Sequence, residues 1–253
     1  MRMSHSPNVS LRRLGLVAVA VVACSTTVAP SSAGAQDAAQ PAAVTSLSNE
    51  TTLSRWAYPV RLGPIYANAS KASRRVANLR LLTEDRLPEL YLLLKQTTDA
   101  SGQEWVQIRV PKRPSGATGW VERSSLGDFH VVHKQLVISR SRLRVTLYDS
   151  GKRVFSAPVG VGKAGTVTPA GHFFVREKFR VTGAPFYGPY AIGTSAYSPT
   201  LTDWPNGGVV GMHGTSVPSL IPGRPSHGCV RLRNGDITRL YRMLPLGTPV
   251  RIT

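Results

Sequence analysis

The chemistry available to this chain centres on Cys229. It stands in the run Ser226-His227-Gly228-Cys229, with His213 sixteen residues upstream. A thiol attacks a carbonyl usefully only as thiolate, and an ordinary cysteine with a pKa of about 8.5 is mostly protonated at neutral pH. A nearby imidazole removes that obstacle by taking the proton or pairing with the thiolate. Two histidines are candidates. His227, two residues away, would share a face with Cys229 in an extended segment and compete with it for space. His213 lies across a loop containing Pro218, Pro222, Gly223 and Pro225 that can fold the two ends together, so His213 is the favoured base. Gly228 would let a substrate backbone approach closely. The amides of Gly228 and Cys229 are natural donors to a tetrahedral oxyanion.

The same residues admit two non-catalytic readings. Cys229, His227 and His213, completed by His172 or an acid, would make a zinc site, but the paired spacing such sites use is absent. No metal or other cofactor is therefore expected. A buried structural cysteine is the second, and a lone thiol gives no reason to prefer catalysis over it.

Order and spacing decide between them. Met212-His213-Gly214-Thr215 followed by Ser226-His227-Gly228-Cys229-Val230-Arg231-Leu232 resembles the signature of the L,D-transpeptidases, whose catalytic domain is called YkuD-like. Thr168-Pro169-Ala170-Gly171-His172-Phe173 resembles a second element of that family. Papain-like wall peptidases place cysteine before histidine. Sortases share the His, Cys, Arg order but carry a Thr-Leu-x-Thr-Cys strand that is absent here. The resemblance implies Cys229 as nucleophile, His213 as base and the Gly214 carbonyl orienting the imidazole, in the role a carboxylate plays in other triads. It implies that Ser226 and His227 shape the loop and, with Gly228, the oxyanion pocket. Arg231 and Tyr197 are the expected substrate-binding residues, Arg231 pairing with a stem-peptide carboxylate. The implied reaction is acyl transfer on peptidoglycan stem tetrapeptides, with release of D-alanine and a 3→3 cross-link. Water as acceptor would make an L,D-carboxypeptidase, and a protein amine an anchoring enzyme. A wall-binding protein without activity is the alternative from another class.

The elements that must position these residues are strands. Residues 131–253 read as a YkuD-like β-sandwich. Gln135–Ser139, Arg142–Tyr148 and Lys152–Ser156 are expected strands, and Gly151 makes a hairpin turn. Asn234 is an expected cap for a helix with Ile237, Leu240, Tyr241 and Leu244 on one face, near the active cysteine. Pro245 ends it, and a strand over 247–252 closes the domain. Residues 54–127 carry short strand-like runs (Glu89–Gln96, Glu104–Val110, Gly119–Val121) and resemble a small bacterial SH3-like β-barrel. Between the motifs, Phe186, Tyr187, Tyr190, Tyr197 and Trp204 stand among Gly and Pro, as part of a lid over the donor or as packed aromatics of a loop.

Residues 1–35 read as a secretory signal: Arg12-Arg13, an apolar run from Leu14 to Ala23, then Ala33-Gly34-Ala35 as cleavage site. Val21-Val22-Ala23-Cys24 also resembles a lipobox, which would lipidate Cys24. In either case the exported chain keeps one thiol. Residues 36–53 are Ala, Gln, Ser and Thr-rich, as in a flexible linker. No later segment is long and apolar enough for a transmembrane helix. The formal net charge is +18. An exported basic protein favours anionic wall polymers as partners, and without interleaved Lys/Arg and aromatics nucleic acid is not expected.

Overall fold

A computed structural model describes residues 43–202 and 208–253. The expected leader, Cys24 and Trp204 lie outside them. Eighteen strands and one α-helix are described, so the mainly β reading stands.

Eight strands form the N-terminal sheet: β1 (Thr45–Ser46), β2 (Ser54–Ala57), β3 (Pro64–Tyr66), β4 (Arg75–Asn78), β5 (Tyr91–Thr98), β6 (Glu104–Arg109), β7 (Thr118–Glu122) and β8 (His130–Val132). Their order is β4-β3-β7-β6-β5-β2-β8, with β1 beside β5. Two expectations give way here. Residues 45–46 of the expected linker pair with Gln96 and Lys95, and Asn49 Oδ1 accepts the amides of Thr51, Thr52 and Leu53, so this stretch is built into the fold. Strand β8 straddles the expected boundary at residue 131, yet pairs with β2 in the first sheet.

The second sheet contains β9 (Lys134–Ser139), β10 (Arg144–Asp149), β11 (Lys152–Pro158), β12 (Gly160–Gly162), β13 (Gly171–Arg180), β14 (Tyr190–Tyr197), β15 (Val209–His213), β16 (Gly223–Ser226), β17 (Val230–Arg231) and β18 (Pro249–Ile252). Their order is β11-β10-β9-β18-β13-β14-β15-β17-β12-β16. Alternation builds its core: Leu136 and Ile138, Val145 and Leu147, and Phe155 and Ala157 all point inward. Gly151, at φ +80°, makes the turn between β10 and β11. Helix α1 (Asn234–Met243) buries Ile237 and Leu240 in the same core.

Strand β13 departs from alternation. Phe173, Phe174, Val175, Arg176 and Glu177 are all buried in succession, which requires cover on both faces. The N-terminal sheet supplies one cover: Phe174 packs with Trp56, Leu90, Leu92 and Val132. The Trp56 ring lies so close to Gly247 that a Cβ there would stand 2.0 Å from it. Polar groups lock the seam. Arg176, 1% exposed, donates through Nε to Glu89 at 3.0 Å and through Nη2 to the other Glu89 oxygen, and lies 3.0 Å from Glu84. Arg80 bridges the same two acids at 2.9 and 3.1 Å.

Candidate active site

Parallel pairing of β15 with β17 sets Met212 opposite Val230 and His213 opposite Arg231. Cys229, at the entry to β17, therefore stands beside Gly211, whose amide hydrogen-bonds to the thiol. His213, the last residue of β15, is 6% exposed, and Tyr187 packs edge-on against its ring at 4.6 Å. His213 Nδ1 lies 2.6 Å from the Gly214 carbonyl oxygen. A carbonyl can only accept, so Nδ1 carries the proton and Nε2 is left as the basic nitrogen. Burial, assisted by the Arg231 charge and opposed by the Gly214 bond, lowers the His213 pKa to about 4. Burial also pushes the Cys229 thiol above its ordinary value, against the Gly211 amide and Arg231, which favour the thiolate. The resting pair is thus neutral imidazole and neutral thiol.

Gly214 has no room for a side chain: a Cβ would stand 2.3 Å from Asn234 Oδ1 and 2.9 Å from the Gly188 Cα. The Asn234 side chain does not cap the helix as expected. The cap position is Arg233, without a side-chain bond, and Asn234 Oδ1 instead accepts the Thr215 amide at 2.9 Å. It thereby fixes the carbonyl-bearing turn after His213.

A second set of bonds shapes the cysteine loop. Gly228 adopts φ +129°, a conformation open to glycine. Ser226 Oγ accepts the Gly228 amide at 3.1 Å and donates to the Cys229 carbonyl at 2.5 Å. With the Gly228 amide committed, only the Cys229 amide remains of the two expected oxyanion donors. Thr168 Oγ1 donates to the Gly228 carbonyl at 2.7 Å and accepts the Gly162 amide at 2.9 Å. The Thr-Pro-Ala-Gly element therefore serves the site through Thr168, a role its sequence did not reveal.

Two cavities meet at Cys229 and His213. The first, about 370 Å³, is walled by Phe186, Tyr187, Ser198, exposed His227 and Arg231. Arg231 Nε is buried without a hydrogen-bond partner among the described residues. The second, about 390 Å³, runs past Gly211 and Gly193 to Glu177 and Asp85. Tyr197 is not brought to either: it is 6% exposed, and its hydroxyl donates to Glu84 in the seam between the sheets. Tyr190 stacks on Tyr241 at 4.3 Å, so of the described loop aromatics only Phe186 and Tyr187 border the cavities. His172, invoked for a zinc site, lies beside Glu50 at 3.9 Å.

Residues 133–252 match the family model of the L,D-transpeptidase catalytic domain, YkuD. The YkuD protein of Bacillus licheniformis is 33% identical over 119 residues, 47% of this chain and 65% of the relative. That of Bacillus subtilis strain 168 is 31% identical over 127 residues, 50% of this chain and 70% of the relative. The chain thus spans less than two thirds of the first relative's length. The solution structure of the catalytic domain of an Enterococcus faecium L,D-transpeptidase is 25% identical, covering 47% of this chain and 96% of that one with a TM-score of 0.36.

Proposed function

The chain belongs to the L,D-transpeptidase family, and from that premise we propose that it transfers an acyl group between wall stem peptides through a thioester on Cys229. His213 Nε2 takes the thiol proton as sulfur attacks the carbonyl of the third stem residue. The Cys229 amide faces the developing oxyanion. The imidazolium then returns its proton to the departing D-alanine nitrogen as the C–N bond breaks, leaving the thioester. An acceptor amine attacks that carbonyl, passes its proton to Nε2, and the C–S bond breaks to restore the thiol.

The observation that carries this reading is the meeting of two separate cavities at one Cys–His pair. Transfer between two peptides needs two bound partners at one sulfur, whereas hydrolysis needs one and an open path for water. Arg231, on the wall of the first cavity, suits a donor carboxylate. His227, exposed at the rim of that cavity, keeps the loop-shaping role in this reading. Residues 54–127 are read as an SH3-like module and the first 35 as an export signal, which puts the enzyme in the cell envelope. No helix among the described residues is long and apolar enough to cross a membrane. The basic surface suits anionic wall polymers.

The test supplies a stem tetrapeptide together with an amine acceptor and separates the products. Cross-linked dimer and free D-alanine are expected, and both should vanish in Cys229→Ala. Tripeptide alone would make the enzyme an L,D-carboxypeptidase. Turnover by Cys229→Ala would remove the nucleophile assignment.

A further inference from the structure

The mechanism above leaves one concave part of the second sheet unused. A cleft of about 420 Å³ is lined by Arg144 of β10, Arg153, Val154, Phe155 and Ser156 of β11, and Arg239 of α1. It shares no lining residue with the two cavities at Cys229. No acidic side chain lines it, and among the described residues none forms an ion pair with any of these three arginines. In a chain with 31 Lys and Arg against 13 Asp and Glu, one arginine without an acid is ordinary. Three around one cleft concentrate positive charge where an anion relieves the repulsion.

Two of the three are also held in place. Ser156 Oγ donates to the Val145 carbonyl at 3.1 Å and accepts from Arg144 Nη1 at 3.3 Å. The Arg239 guanidinium stands 5.6 Å from the centre of the Phe155 ring. All three arginines are exposed, so most of their N–H donors are left to a visitor. Basic residues on an edge strand such as β11 also discourage pairing with another strand. That role asks for charge on β11 alone, whereas Arg144 belongs to the next strand and Arg239 to a helix.

The lining narrows the class of anion. Guanidinium forks bind carboxylate and phosphate alike. A carboxylate is planar and one fork occupies it, while tetrahedral phosphates repeated along a chain suit donors converging from three elements. Phe155, the aromatic residue of the lining, is 4% exposed and offers bases no face to stack on. A lipid surface is met by protruding apolar side chains, and this cleft is concave with Val154 as its one exposed apolar residue. We propose that Arg144, Arg153 and Arg239 bind the phosphate groups of a base-free phosphodiester polymer, at a site separate from the reaction centre. The inference rests on the anionic-polymer reading above, gives it a place and a chemistry, and is independent of acyl transfer.

The test uses the full chain and fluorescent poly(glycerol phosphate), with binding read by anisotropy. Combining Arg144→Gln, Arg153→Gln and Arg239→Gln should raise Kd about tenfold or more, the scale of one charge-assisted hydrogen bond. Arg74→Gln, Arg75→Gln and Lys95→Gln together remove the same charge from exposed positions of the N-terminal sheet and should raise it about twofold or less. Polyglutamate of equal charge should bind the parent more weakly than the phosphate polymer. Acylation of Cys229 by a soluble tetrapeptide should be the same in the cleft variant and the parent. Should the triple variant fail to fold, Arg153→Gln alone, exposed and without a side-chain hydrogen bond among the described residues, must still weaken binding. Equal losses in the two triple variants, equal affinity for polyglutamate, or slowed acylation in the folded cleft variant would overturn the proposal. So would retention on phosphatidylglycerol vesicles through the same three arginines with no binding of the polymer. A parent that binds neither polymer overturns the anionic-polymer reading as well, and leaves acyl transfer untouched.

Discussion

A histidine that must act as a base is usually kept near neutrality by a carboxylate, and His213 has none. Its Nδ1 partner is an uncharged carbonyl, whose bond offsets only part of the cost of charging a buried ring beside Arg231. A base works only when deprotonated. With the His213 pKa lowered to about 4, acylation should stay level as pH falls through 6.5 and drop only near pH 4. A rate profile for thioester formation measures this directly, and an acid limb near 6.5 would mean that the imidazole is not held as the structure has it. The candidate pair itself was legible because residue type, order and spacing survive in a linear string. What was not legible is contact made by folding: Tyr187 on His213, Asn234 on Thr215, and the absence of space that makes residue 214 a glycine. Tyr197 was misplaced for the same reason. An aromatic between two motifs gives no sign of which face of its strand it occupies.

At the scale of elements, the cysteine loop is held from the segment between β12 and β13. Thr168 is 1% exposed and satisfies both the Gly228 carbonyl and the Gly162 amide. Thr168→Val keeps the shape and removes both bonds, stranding two buried backbone groups. A loss of about 1–3 kcal/mol is expected in urea unfolding, together with slower acylation as the loop relaxes. Acylation and stability both at parental levels would show that the loop holds itself. Strands β9, β10 and β11 were readable from alternation, and α1 from its apolar face. Strand β8 was not, because three residues carry too little pattern to reveal which sheet they join.

The described residues form two sheets closed on a shared seam with an ionic centre. Arg176 and Glu89 lie 87 residues apart in sequence and are both fully buried. No periodicity announces such a pair, which is why the sequence suggested two modules in series. Arg176→Met would leave the buried Glu89 with Arg80 as its remaining cation partner, at a cost of up to about 3–5 kcal/mol. Adding Glu89→Gln should return part of that loss, as coupled partners do. Independent, additive effects in urea unfolding would dissolve the claim that the seam is ionic. All of this geometry converges on one sulfur. The most direct measurement is therefore peptide mapping by mass spectrometry after brief incubation with a disaccharide-tetrapeptide. The account predicts a disaccharide-tripeptide acyl adduct on Cys229, with free D-alanine released, that an added amine converts to cross-linked product. Tetrapeptide consumed while Cys229 stays unmodified, or an adduct on any other residue, would contradict it.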